Sequence, residues 1–222
     1  MGIASKAVTA AVIESSASQA AALTALNYSF ADGKPGGMVD VAVTAGAGIS
    51  QVVSSTLQES NSTAVNGGYN SVAVMPDSMA VTTTISVTVT VGSLSVTANN
   101  RAVGPGVFSA DGTKGVYFRF ASQSSTAVLC SWSGGTESTQ KSLASQVASA
   151  GDTLTLTGTL SGGAWTWTCK KNGGADIVGL TWADSSHVID LPGVKPGVAF
   201  RHQYSSSQYG SRGVTNIAAT AT

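Results

Sequence analysis

The strongest constraint on this chain is a period of two. Residues 151–182 read GDTLTLTGTLSGGAWTWTCKKNGGADIVGLTW. Leu154, Leu156 and Leu160 share one parity, and Thr153, Thr155, Thr157 and Thr159 hold the other. After Ser161-Gly162-Gly163 the parity switches, and Trp165, Trp167 and Cys169 alternate with Thr166 and Thr168. Successive side chains of a strand point to opposite faces, so each run has one apolar face and one hydroxyl face. Gly162-Gly163 gives the backbone freedom of a hairpin. Asn172-Gly173-Gly174 makes the next turn. This stretch is expected at the centre of an antiparallel β-sandwich, with Trp165, Trp167 and Cys169 in its core.

The same alternation recurs along the chain. Val81, Ile85, Val87, Val89 and Val91 hold one parity, and so long a Val/Thr strand belongs inside a sheet, where neither edge is open to pairing with another chain. Val116, Phe118 and Phe120 alternate with Tyr117 and Arg119. Residues 127–132, 177–182, 198–202 and 214–219 read as further strands, and 136–150 as a weak strand or a helical turn. About a dozen short strands at this spacing make a sandwich or a barrel. Residues 1–26 differ: they are rich in Ala, and Val8, Val12, Ile13, Leu23 and Leu26 fall on a weak helical stripe. They are read as an arm, part helical or extended, that anchors a domain formed by residues 27–222 to a partner.

Composition narrows the function. Only 10% of residues are charged and the formal net charge is zero, where about 25% charged is usual. The scattered basic residues form no patch for nucleic acid. The arm lacks the Lys and Arg of an interfacial membrane helix, no apolar run is long enough to span a bilayer, and no secretory signal is expected. A neutral, hydroxyl-rich surface is poorly protected against self-association, which suggests cover by partner subunits in a homo-oligomer or multi-copy assembly. Cys130 and Cys169 could pair only if their strands are neighbours.

Asp32, Asp111, Asp152 and Asp184 stand beside Gly, Ala or Ser and read as turn residues. Glu59 and Glu137 read as loop residues. That leaves no pair of strand carboxylates for glycoside hydrolysis. There is no Gly-x-Ser-x-Gly elbow for a serine nucleophile. His187 and His202 with two distant cysteines do not make a zinc site, and Asp184 with Asp190 is too small a set for a calcium rim. No enzyme activity, cofactor or metal is expected. The aromatic residues near loops are Trp132, Trp182, Tyr204 and Tyr209, and with Arg212 they form the candidate contact set for a glycan or a partner.

The order of GDTLTLTG, WTWTCKKNGG, GLTWADSS, LPGVKPGVAFRHQ and RGVTNIAATA resembles the second half of a concanavalin-A-like, laminin-G-like jelly roll. NYSFAD, SMAVTTTISV and KGVYFRFA fit the first half more loosely. The nearest resemblance is to such domains in minor tail and other virion proteins of actinobacterial tailed phages. It implies an antiparallel jelly-roll β-sandwich over residues 27–222 that is a non-enzymatic structural protein. The domain would be exposed on the particle surface and attached to capsid or tail proteins. The alternative is a lectin-like module for host-surface glycan, and a polysaccharide-degrading enzyme stands behind both.

Overall fold

The computed structural model describes residues 23–42, 49–60, 67–93, 102–121, 126–134, 136–186, 189, 193–204 and 213–222. Its strands in chain order are β1 (Ala25–Ser29), β2 (Val39–Ala42), β3 (Ile49–Val53), β4 (Thr56–Ser60), β5 (Gly67–Val74), β6 (Thr84–Val91), β7 (Ala102–Phe108), β8 (Lys114–Ala121), β9 (Thr126–Ser133), β10 (Thr136–Ala144), β11 (Thr153–Ser161), β12 (Ala164–Lys171), β13 (Trp182–Asp184), β14 (Lys195–Tyr204) and β15 (Val214–Ala221). Among the described residues the one helical element is a 3-10 turn, Phe30–Asp32.

The strands form two antiparallel sheets. One runs β13-β12-β11-β6-β15-β4-β3, with β1 also paired to β15, and has eight strands. The other has seven, in the order β10-β9-β8-β7-β14-β5-β2. In β6, β8, β11 and β12 the apolar parity faces the space between the sheets. Ile85, Val87, Val89 and Val91 of β6 meet Val116, Phe118 and Phe120 of β8 in one core, joined by Leu154, Leu156, Trp165 and Trp167. This is a β-sandwich, as the alternation implied, of the jelly-roll form that the resemblance implied.

The details correct several expectations. β11, β12 and β13 form one flank of the eight-stranded sheet, and the strand nearest its middle is β6, between β11 and β15. Its interior place matches the reading of the Val/Thr run. The hairpin between β11 and β12 turns on Gly162 and Gly163, whose φ values are 59° and 79°. Positive φ at both central residues is the hairpin turn that matches strand twist. Residues 177–180 are a turn closed by Leu180 N–H donating to the Ile177 carbonyl, so the last strand of this stretch is Trp182–Asp184 alone. Glu59 and Glu137 lie in strands, β4 and β10, because the expected loops are strand edges rich in polar residues. Cys130 and Cys169 are buried free thiols on opposite sheets, β9 and β12, so their strands are not neighbours.

Leu23 and Leu26 of the expected arm pack, partly buried, against the main core. Leu23 N–H donates to the Ser78 carbonyl, and its own carbonyl accepts from Ala80 N–H. Leu26 lies in β1, opposite Ala219 of β15. Val8, Val12 and Ile13 lie outside the described residues.

Candidate functional site on the seven-stranded sheet

The face of the seven-stranded sheet turned away from the core is where the chain concentrates unusual chemistry. Strand parity places Gly115, Tyr117 and Arg119 of β8 there, with Cys130 and Trp132 of β9, Glu137 of β10, Gly104, Gly106 and Phe108 of β7, Gly197 and Ala199 of β14, and Asn70 and Val72 of β5. Val72, Val74, Phe108, Tyr117, Cys130, Trp132 and Ala199 form a second buried cluster on it.

The face is curled inward. Arg119 Nη1 donates to Asn70 Oδ1 at 2.8 Å and to Glu137 Oε2 at 3.3 Å, so those two oxygens are at most about 6 Å apart. Their side chains add less than about 9 Å of reach. β10 and β5 are five strand positions apart, a separation of at least about 24 Å in a flat sheet. Only a sheet that wraps around this face brings both residues to one guanidinium. Side chains converge on the inside of such a curl, and the sequence answers with small residues. The Phe108 ring lies over three glycines from three strands: a Cβ at Gly106 would stand 2.4 Å from it, at Gly115 2.3 Å and at Gly197 2.8 Å.

The polar junction sits beside this aromatic floor. Arg119 Nη2 donates to Glu137 Oε1 at 2.9 Å, completing a two-pronged pair with the carboxylate. The Tyr117 hydroxyl donates to Glu137 Oε2. The Arg119 guanidinium carbon lies 5.6 Å from the Tyr117 ring centroid, a cation–π distance. Arg119 is 2% exposed on its side chain and Glu137 17%. Burial pushes the Tyr117 phenol well above its ordinary pKa, so it stays a proton donor. Burial likewise pushes the Cys130 thiol up to about 11, which makes it an inert packing group. Asn70 is partly exposed, and its amide nitrogen has no bond to another described residue. Arg201, the register partner of Asn70 on β14, is exposed at the rim.

The aromatic and basic residues singled out in the sequence do not converge. Trp132 is on this face but 2% exposed, and its indole N–H donates to the Gly112 carbonyl at 3.0 Å under the β7–β8 hairpin. It is a packing anchor, because its strand parity outweighs its nearness to the Ser133-Gly134 turn. Trp182 pairs with Trp167 at the flank of the other sheet and packs, half-buried, against the main core. Tyr204 ends β14 opposite Gly67. Tyr209 and Arg212 lie outside the described residues, as do His187 and Asp190. Asp184 is buried and accepts from the Ser186 amide at 2.9 Å and hydroxyl at 2.7 Å, the turn role expected of it. The described residues contain no group of three or more His, Cys, Asp or Glu able to hold a metal ion. Sequence reasoning missed Arg119, Glu137 and Asn70. A charged residue on a strand whose other face carries Val116, Phe118 and Phe120 was the available signal for Arg119.

No protein-family model and no curated protein matches the chain by sequence. Solved structures do match it in fold. The carbohydrate recognition domain of Emp47p aligns with 84% of this chain and 89% of its own, at TM-score 0.53 and 8% identity. Lectin II from Ulex europaeus aligns over 88% and 97%, at TM-score 0.53 and 8% identity. The Bacillus licheniformis β-glucanase aligns over 89% and 98%, at TM-score 0.54 and 9% identity. The fold is therefore the concanavalin-A-like jelly roll, shared by lectins and glucanases alike.

Proposed function

We propose that this chain is a non-catalytic glycan-binding domain that receives a saccharide at the polar end of the curled face. The observation that carries this reading is the junction of Arg119, Glu137 and Asn70, drawn from three strands of one sheet. Sugar hydroxyls are recognised by pre-positioned donors and acceptors, and groups already fixed by one another lose little freedom on binding. Glu137 offers carboxylate lone pairs to hydroxyl protons. The Asn70 amide nitrogen and Arg201 offer donors from the opposite bank. The likeness in fold to a carbohydrate recognition domain and a lectin agrees with this reading.

The glucanase likeness raises hydrolysis as the competing reading. Hydrolysis in its usual form uses two carboxyl groups flanking the scissile bond. Among the described residues the curled face carries one, Glu137, and both of its oxygens already accept hydrogen bonds from Tyr117 and Arg119. Binding is the chemistry these groups favour.

A glycan array followed by calorimetry on wild type, Asn70→Ala, Arg201→Ala and Glu137→Gln tests the proposal. At least one glycan class should be retained, with affinity falling tenfold or more in two of the three variants while their circular dichroism is unchanged. Absence of any glycan binding at millimolar ligand, or binding indifferent to all three changes, overturns the site. Release of reducing ends from a bound polysaccharide overturns the non-catalytic assignment.

A place on a phage particle, as a multi-copy protein attached to capsid or tail, is the second reading. The resemblance in sequence carries it, and the low charge of the chain favours it. Antibody labelling of intact particles tests it, and label absent from every particle surface rules it out.

A further inference from the structure

The curled face carries more positive charge than it neutralises. Strand register sets Lys195, Arg119 and Arg201 on it against one carboxylate, Glu137. The chain as a whole has a formal net charge of zero, so the excess belongs to this face and not to the molecule. Glu137 is engaged by Arg119 and Tyr117. Asp111, on the β7–β8 hairpin at the Trp132 end, is engaged by Ser109 and Thr113.

Small residues let two arginines close on one asparagine. β8, β7, β14 and β5 are consecutive in the sheet. Arg119 starts on β8 and bonds Asn70 on β5, so its side chain crosses β7 and β14. The row it crosses holds Gly104 and Ala199, which are partners in register. A Cβ at Gly104 would stand 2.8 Å from the Arg119 Cα, so a larger residue there would block the path. Arg201 is the register partner of Asn70 and has Ala102 on its other side. Facing side chains of paired strands have Cβ atoms about 5 Å apart. Arg119 and Arg201 thus flank Asn70, one bonded to its oxygen and the other beside it in register.

The two cations differ in what they lack. Arg119 is buried and paired with Glu137. Arg201 is exposed and has no ion pair among the described residues. Its nearest polar neighbour in register is Asn70, whose free amide nitrogen is a donor and cannot neutralise it. The missing complement is an anion. A guanidinium offers two parallel N–H groups that match a carboxylate prong for prong. A neutral sugar would leave that charge unpaired, and a sugar bearing a carboxylate pairs it. The negative charge of Glu137 does not oppose this, because Arg119 holds both of its oxygens.

We propose that the saccharide taken by this face is acidic, with its carboxylate on Arg201 and its hydroxyls on Asn70 and Glu137, an assignment that rests on the glycan-binding role proposed above. Uronic and sialic acids share this chemistry. Calorimetry on the full chain tests it with oligogalacturonate and sialyllactose, each beside its own methyl ester, and with a neutral and a sulfated galactan. At least one acid should bind about tenfold or more tighter than its ester, the worth of one charge-assisted pair, and the acid that does so identifies the source. The advantage should shrink as salt is raised. Arg201→Gln should bring acid and ester to equal affinity with circular dichroism unchanged, and Arg201→Lys should keep part of the difference, since charge remains without the fork. Acid and ester bound alike, an advantage that survives Arg201→Gln, or a preference for the sulfated galactan over both carboxylates overturns this inference and leaves the glycan site standing. Binding of none of these saccharides, together with an empty glycan array, overturns the site and this inference with it.

Discussion

Glu137→Ala is the most informative single change in the curled face. It strips Arg119 of both prongs of its ion pair and Tyr117 of its acceptor. Removing one partner of a buried ion pair typically costs about 3–5 kcal/mol, because the other charge stays buried without compensation. Two features lower that figure. The Glu137 side chain is 17% exposed, so water replaces part of the loss. Asn70 still accepts from Arg119. An expected loss of about 2–3 kcal/mol remains, which for a chain of this size lowers the melting temperature by about 4–12 °C. The reverse perturbation separates burial cost from attraction. Replacing the network as a unit, with Arg119→Met, Glu137→Leu and Tyr117→Phe together, removes every charged and hydroxyl group that needs a partner. Apolar replacements of a buried pair are often neutral, so the triple variant should lie within about 1 kcal/mol of wild type, far above the sum of its single changes. Urea unfolding at pH 7, with the slope held common to all variants, measures this. A Glu137→Ala loss under about 0.5 kcal/mol, or a triple variant as weak as the sum of the singles, refutes the picture of a buried, mutually dependent network.

The two stacked core tryptophans should differ. Trp165 and Trp167 lie 5.1 Å apart at 23°, but the Trp165 indole N–H donates to the Ile189 carbonyl while the Trp167 N–H has no partner among the described residues. Both lose similar volume on change to Phe, so Trp167→Phe should be the milder by about 1–2 kcal/mol, and an equal or larger loss in chemical denaturation contradicts this. Acid stability should depend on Asp152. Burial opposes its ionisation, but the Asn172 amide, the Ser149 N–H and Lys171 outweigh that and hold its pKa at about 2, below the ordinary 3.8. A depressed folded-state value stabilises fully above the unfolded pKa and is lost as pH falls toward 2. Asp111, held at about 2 chiefly by the Ser109 hydroxyl, titrates in the same window. Thermal melts from pH 5 to 2 should therefore show a shallower acid limb in Asp152→Asn and a shallower one still in Asp152→Asn with Asp111→Asn; an unchanged limb in the double variant removes the argument.

Most of the sandwich is legible in the sequence because its signal is local. Period two survives in nearly every strand, and Thr84–Val91 alternates buried and half-buried without a break. What sequence misses follows from pairing between distant strands. Glu137 reads as a loop residue because Thr136–Ala144 is an edge strand with a bulge between Thr139 and Lys141, and its alternation is broken there. Trp132 reads as exposed because a Ser-Gly-Gly turn follows it, yet its face is decided by register with Gly115, which no local pattern gives. The Arg119 junction needs residues 70, 119 and 137 brought together by sheet curvature, which parity cannot report. The hydroxyl face of the eight-stranded sheet is the opposite case: the Thr parity is visible in sequence, and only the register that sets Thr155 beside Thr88 and Thr157 beside Ser86 is not.

Curvature also limits how much ligand the curled face can hold, and this yields a last prediction. The floor over Gly106, Gly115 and Gly197 is occupied by the Phe108 ring, and Trp132 closes the region below the β7–β8 hairpin. Those side chains are buried to 2% exposure or less, so that end of the face has no open groove for a polysaccharide chain. Asn70 and Arg201 lie at the other end, and the Glu137 side chain, whose strand position is opposite Trp132, reaches toward them as far as Arg119. A saccharide bound there meets one cluster of hydrogen-bonding groups, enough to hold one or two sugar rings and no more. Affinity should therefore rise from monosaccharide to disaccharide and then stay level along an oligosaccharide series. Phe108→Ala, which clears the glycine floor, should restore dependence on chain length even as it lowers stability by about 3–5 kcal/mol. Calorimetry across the series decides the matter. Wild-type affinity that keeps increasing through four or five sugars means that the ligand runs along the face, and that the aromatic floor moves aside to admit it.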